Sequence, residues 1–327
     1  MLFLCFIVLN LYTLKRYDLS YPFLPGPKLD NAIRQNHIKA ITKHEPQIVL
    51  IGDSTLTKGV DAERLAENLD ISTYSIDLPG SASTLWYLII KNNITQVPIP
   101  PKYLLIFFRD TMLTMPGYHV QGQYLEQIDE YATSKDTLLT ERAFIGSMNP
   151  TERFAETYLP IYSRRWQMRE EIESQIRYGP AKAAGCNQRC VDGTLAHIFN
   201  DSNINVQGLN EAISTADEDM YSNRTLDFGS QVNKSFLPEV VRILHENNIQ
   251  LLLIRMKTLQ FTQPFPALDN YMSDLKTYAQ VNNVILLDFA GDPRLASSLY
   301  MDILHLNDEG RMIFTDILSE ILKPLIN

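Results

Sequence analysis

The run Ile48-Val49-Leu50-Ile51 ends abruptly at Gly52-Asp53-Ser54. Four consecutive apolar residues, three of them β-branched, suit a strand buried on both faces, as in a parallel sheet covered by helices on either side. A hydroxyl set just past such a strand emerges at the carboxyl end of the sheet, where open α/β sheets bind ligands. Gly52 reads as the residue that permits the tight turn there. A helix over residues 61–69 would bring backbone N–H groups near a developing anion. The same three residues also read as a plain polar strand-to-helix turn.

The rest of the chain repeats the rhythm. A leading helix is expected over 32–46, then strand 48–51, helix from 61, strand 71–77, helix 83–92 and strand 103–108. After a long interruption come a helix ending at Asn247-Asn248, strand 250–255, helix 267–282, strand 284–288 and a last helix over 308–322. This alternation predicts an α/β fold with a parallel sheet. From about 111 to 235 no βα repeat is legible, and the segment reads as a largely helical insertion over the carboxyl edge, placed to shape a lid or an acceptor groove. Within it, Trp166 with Arg164, Arg165 and Arg169 suits stacking on sugar rings and gripping anionic groups, or half-buried packing on a charged helix. His119 and His197 read as surface or core residues rather than ligands.

Near the C-terminus, Asp302 and His305 stand three apart just ahead of the last helix. That spacing lets the carboxylate reach one imidazole nitrogen while the other faces a nucleophile. With Ser54 this makes a Ser-His-Asp relay: Ser54 attacks a carbonyl, His305 serves as general base and then acid, and Asp302 fixes the tautomer and stabilises the imidazolium.

These residues resemble the SGNH (GDSL-type) esterases and acyltransferases. The first block of that family looks like Ile51-Gly52-Asp53-Ser54-Thr55, and its last looks like Asp302-Ile303-Leu304-His305. Gly80 matches the second block in kind, as an oxyanion-hole N–H donor beside that of Ser54. In the third block Arg109-Asp110 follows Phe107-Phe108 where the family usually has Gly-x-Asn-Asp, so Arg109 takes the asparagine's place. The resemblance, covering roughly 45–110 and 236–327, implies a three-layer α/β/α, flavodoxin-like sheet. Arg109, Asp110 and Arg255 are the expected substrate contacts, and Arg109 is also an expected oxyanion donor. The competing reading is that Arg109 pairs with Asp53 or Asp110 and braces the loop.

A net charge of −9 and a pI near 5.2 argue against sequence-independent nucleic-acid binding. No metal or cofactor is implied. Residues 1–30 read as an apolar signal or anchor segment plus a linker, and 31–327 as one SGNH-like domain carrying the insertion. The N-terminal run of about twelve apolar residues falls short of the roughly 20 that span a bilayer, and Lys15 and Arg16 follow it rather than precede it. Cys186 and Cys190 form a close pair that suits a local disulfide, and hence an oxidising compartment; free thiols are the alternative.

The resulting expectation is an extracytoplasmic, membrane-attached O-acyltransferase acting on cell-envelope glycans. The resembling branch includes teichoic-acid D-alanine and alginate O-acetyl transfer proteins, and it implies a multi-spanning membrane acyltransferase as partner. An SGNH-type carbohydrate or lipid esterase, and a glycan-binding or assembly protein with a vestigial triad, are the alternatives.

Overall fold

The computed structural model describes residues 2–19, 21–22, 25–29, 32–146, 148–169, 171–172, 174–175, 185–186, 210, 213–215, 217–260 and 265–326. Five parallel strands, β1 (Ile48–Gly52), β2 (Thr73–Asp77), β3 (Tyr103–Phe108), β4 (Gln250–Arg255) and β5 (Ile285–Asp288), form one sheet in the order β2-β1-β3-β4-β5. Helices cover both faces, so the architecture is a three-layer α/β/α sandwich.

The strands are read by two cores at once, because successive side chains point to opposite faces. Ile48 and Leu50, Leu105 and Phe107, and Leu252 and Ile254 pack with Leu56, Leu65 and Phe314 from helices Ser54–Gly59, Ala62–Leu69 and Asp308–Leu322. Val49 and Ile51, Leu104 and Ile106, and Leu251 and Leu253 pack with Leu88, Val240 and Leu275 from helices Ser83–Asn92, Leu237–Glu246 and Pro266–Val281. The chain runs from β1 to β2 on one side and then crosses to β3 on the other. The crevice between the carboxyl ends of β1 and β3 is therefore the switch point at which such sheets bind ligands.

Two local features differ from the sequence reading. A helix begins at Ser54 itself, because Asp53 accepts from the Thr55 N–H at 2.9 Å and caps it. Gly52 is required for space rather than for turn conformation: a Cβ there would lie 2.9 Å from Leu56 Cβ and 3.0 Å from Phe107 Cβ.

The described parts of the insertion are mostly helical, including Gln123–Tyr131, a π-helical turn at Thr140–Ile145, and Pro150–Tyr158. Cys186 is disulfide-bonded; Cys190 and His197 lie outside the described residues. The N-terminal helix Leu2–Arg16 turns polar residues inward. Asn10 Oδ1 accepts from the Ile161 N–H at 3.2 Å, Thr13 is 1% exposed, and Leu4, Val8, Leu11 and Tyr12 are exposed. Among the described residues no helix is long and apolar enough to cross a membrane.

On the helix Asn36–His44, His37 is buried against Tyr131, with its Nδ1 3.0 Å from the Tyr74 hydroxyl. Burial, helped by Arg34, pushes its pKa down to about 4. The unfolded chain therefore takes up this proton first as pH falls. The stability this group contributes is present above about pH 6.5 and is lost on acidification toward pH 4, to the extent of ~3 kcal/mol at most. In urea melts, His37→Phe should lose less stability than the wild type between pH 6.5 and pH 4. Identical losses in the two proteins would contradict this account.

Candidate active site

The ends of β1 and β2 and the loop ahead of the last helix bring the candidate residues together. Ser54 follows β1 at the first position of its helix, where backbone N–H groups have no intrahelical acceptor. The loop after β2 is tied to the end of β1, since the Gly52 carbonyl accepts from the Leu78 N–H at 3.1 Å and from Ser81 Oγ at 3.2 Å. Trp86 Nε1 in turn donates to Ser81 Oγ at 2.7 Å. This holds Gly80 beside the nucleophile loop. Gly80 has φ +75°, and a Cβ there would lie 2.7 Å from the Tyr124 ring, so both its backbone angle and its surroundings select glycine. Among the described residues the N–H groups of Ser54 and Gly80 have no acceptor within the chain.

The relay is formed. Ser54 Oγ lies 2.8 Å from His305 Nε2, and His305 Nδ1 lies 2.7 Å from Asp302 Oδ2. The tautomer that satisfies both contacts carries its proton on Nδ1, which leaves Nε2 to accept from the Ser54 hydroxyl. Asp302 Oδ1 is fixed separately by the Leu304 and His305 N–H groups at 2.7 and 2.8 Å. Burial works to raise the Asp302 pKa, but the His305 hydrogen bond and these two N–H donors outweigh it and hold the carboxyl below its usual range. The loop is braced from outside by the Leu259 N–H donating to the Ile303 carbonyl at 2.7 Å, and by the Ile303 N–H donating to Asn210 Oδ1 at 3.2 Å.

The structure places Arg109, Asp110 and Arg255 in ion pairs within the chain; for Arg109 a pairing with Asp53 is one of the two expected readings, and contact with substrate is the other. Arg109 is 4% exposed; its Nη1 donates to Asp217 Oδ2 at 2.5 Å and its Nε approaches Asp53 Oδ2 at 3.5 Å. Burial alone would lower the Arg109 pKa, but Asp53 and Asp217 more than offset it and the net shift is upward. Asp110, at φ +40°, accepts from Arg255 on Oδ1 at 2.6 and 3.0 Å and from the Tyr221 hydroxyl on Oδ2 at 2.8 Å. Arg255 also reaches Asp288 at 3.1 Å.

Sequence reasoning gives no place to Asp217, Tyr118 or Tyr124 and reads His119 as a surface or core residue. Asp217 joins Arg109 to Tyr118, whose hydroxyl donates to Asp217 Oδ1 at 2.5 Å. His119 is stacked between Tyr118 and Tyr124, with ring centroids 3.9 and 4.4 Å away, and its Nδ1 lies 2.7 Å from the Gly80 carbonyl. Burial lowers the His119 pKa, which favours the neutral ring. A chain of contacts thus runs from Gly80 through His119, Tyr118, Asp217 and Arg109 to Asp53, the neighbour of Ser54. Asp217 lies in the acidic run Asp217-Glu218-Asp219, which carries no motif of its own.

No family model matches the chain, and no curated protein matches its sequence. Solved structures of similar outline include a protein described as an acylhydrolase from Bacteroides fragilis, with 11% identity and a TM-score of 0.40, covering 96% of this chain and 97% of that one. A lipolytic protein of the G-D-S-L family from Desulfitobacterium hafniense has 12% identity and a TM-score of 0.36, covering 84% of this chain and 98% of its own. A GDSL-like lipase from Bacteroides thetaiotaomicron has 9% identity and a TM-score of 0.38, with coverages of 89% and 98%. At scores of this size they carry no weight in the chemistry, which rests on the geometry of Ser54, His305 and Asp302 in this chain.

Removing one partner of a buried ion pair leaves an uncompensated charge that costs roughly 3–5 kcal/mol. Asp217→Ala should therefore lower the unfolding free energy by an amount of that order, measured by chemical denaturation. Arg109→Lys, which loses the planar fork, should be destabilised in the same assay. Unchanged stability in both variants would contradict the bracing role.

Proposed function

We propose that the chain is a serine acyl-transfer enzyme working through Ser54, His305 and Asp302, and that its substrates are O-acylated, most simply O-acetylated, cell-envelope glycans. The observation that carries this is the continuous hydrogen-bonded relay from Ser54 Oγ through His305 to Asp302, at 2.8 and 2.7 Å. His305 Nε2 takes the Ser54 proton as Oγ attacks the ester carbonyl. The N–H groups of Ser54 and Gly80 receive the developing oxyanion. Collapse transfers the proton from His305 to the departing alkoxide and leaves an acyl-Ser54 ester. The acceptor hydroxyl then enters, again deprotonated by His305, and carries the acyl group away. Asp302 keeps the imidazole in the required tautomer and stabilises its charged form. Arg109, Asp110 and Arg255 act as the frame of this site. A formed relay weighs against the vestigial-triad alternative.

Attachment to a membrane, with a multi-spanning acyltransferase as the donor-side partner, belongs to the same proposal. It is supported by the N-terminal helix, which exposes Leu4, Val8 and Leu11 while burying Asn10 and Thr13. An extracytoplasmic location is supported by the disulfide at Cys186. If water replaces the glycan hydroxyl, the same residues perform ester hydrolysis.

A fluorophosphonate probe should label the wild-type protein on Ser54, and Ser54→Ala should abolish labelling without changing the thermal midpoint by more than a few degrees. Labelling that persists in Ser54→Ala would remove Ser54 as the nucleophile.

A further inference from the structure

Two cavities lie on the side of the insertion, and neither is lined by Ser54, Gly80 or His305. One has a volume of about 940 Å³ and the other about 490 Å³, and they share Gln121, Gly122 and Trp166. The inner wall of the larger one includes Tyr118, His119 and Tyr124, the same stack that holds Gly80. Trp166 stands where the two meet and is 43% exposed, with the guanidinium carbons of Arg165 and Arg169 5.8 and 5.9 Å from its ring. The larger cavity alone sits at the upper end of the roughly 300–1,000 Å³ that holds one small ligand. The second chamber therefore points to an extended occupant.

The lining narrows the chemistry. A channel for a long acyl chain needs a continuous apolar wall. Here Asp219, Arg224, Asn233 and Lys234 line the larger chamber, interrupting its aromatic surfaces. Aromatic faces alternating with hydrogen-bonding side chains match a ring whose C–H face stacks while its hydroxyls pair at the edges.

We propose that this two-chambered groove binds the acceptor as a saccharide chain of at least two rings, with Trp166 stacked on a ring at the junction. A ring in the larger chamber then lies against the wall of Tyr118, His119 and Tyr124, the stack that packs on Gly80. This assignment rests on the acyl-transfer reading of Ser54. In the transfer step the acceptor hydroxyl gives its proton to His305 Nε2 and its oxygen bonds the acyl carbon. The bond from that carbon to Ser54 Oγ breaks, and Oγ takes the proton back.

The two tryptophans make the test direct, because Trp86 is 1% exposed and only Trp166 stands in the groove. The full chain is titrated with cellotetraose, chitotetraose, tetragalacturonate and laurate, following tryptophan emission. Affinities for any binder are then measured by calorimetry in the wild type and in Trp166→Ala. The expected result is a saturable emission change with at least one tetrasaccharide, and an affinity for it that falls about tenfold or more in Trp166→Ala. The proposal is overturned if no tetrasaccharide changes the emission, if only laurate does, or if Trp166→Ala binds as tightly as the wild type. Nitrophenolate release from p-nitrophenyl acetate, measured on the same wild-type sample, separates the two claims. Release without saccharide binding overturns the groove and leaves the Ser54 chemistry standing, whereas binding without release overturns the Ser54 chemistry and leaves the groove.

Discussion

A guanidinium buried at the end of β3 has to be neutralised, because an isolated charge in that position costs several kcal/mol. Arg109 meets Asp53 beside the nucleophile and Asp217 from the insertion, so the core sheet and the insertion are joined through one cation. The consequences spread from that point. Asp217 orders Tyr118, Tyr118 stacks on His119, and His119 donates to the carbonyl of Gly80. The β1 loop that carries Ser54 and the β2 loop that carries Gly80 are thereby held by the same network. Arg255, Asp110 and Tyr221 repeat the arrangement one strand further along.

Such a frame gives Arg109 its partners inside the chain. Oxyanion stabilisation needs donors fixed in advance of the reaction, and in the proposed reaction the backbone N–H groups of Ser54 and Gly80 are those donors. Arg109 joins Asp53 to Asp217 and so links the two loops to the insertion. The insertion accordingly supplies Asp217 to the frame, and its outer residues line the two cavities that meet at Trp166.

Most of the sheet was legible in the sequence because its inner strands are buried on both faces and so consist of unbroken apolar runs: β3 and β4 begin and end where the pattern does. The start of β2 was misjudged by two residues. It is an edge strand, mostly half-buried, with only Ile76 fully buried, so its pattern is weaker. The contact of Ser54 with His305 and Asp302 was legible although Ser54 and His305 are 251 residues apart, since each half carries its own local motif. Asp217 and His119 carry none. Their roles come from contacts across 108 and 39 residues, and nothing in their immediate neighbours marks an aspartate as a counter-ion or a histidine as a loop clamp. Gly52 illustrates a right residue with the wrong reason, since only the packed structure shows Phe107 and Leu56 filling the space a Cβ would need.

The central claim is that Ser54 carries the acyl group and that His305 puts it there. Acid-quenched mass spectrometry of the protein mixed with p-nitrophenyl acetate tests this directly. The account predicts an acetyl group on the peptide containing Ser54 in the wild type, with accumulation slowed at least about a hundredfold in His305→Ala, as expected for loss of a general base. Acetylation at another residue, or equal rates in the two proteins, would contradict it.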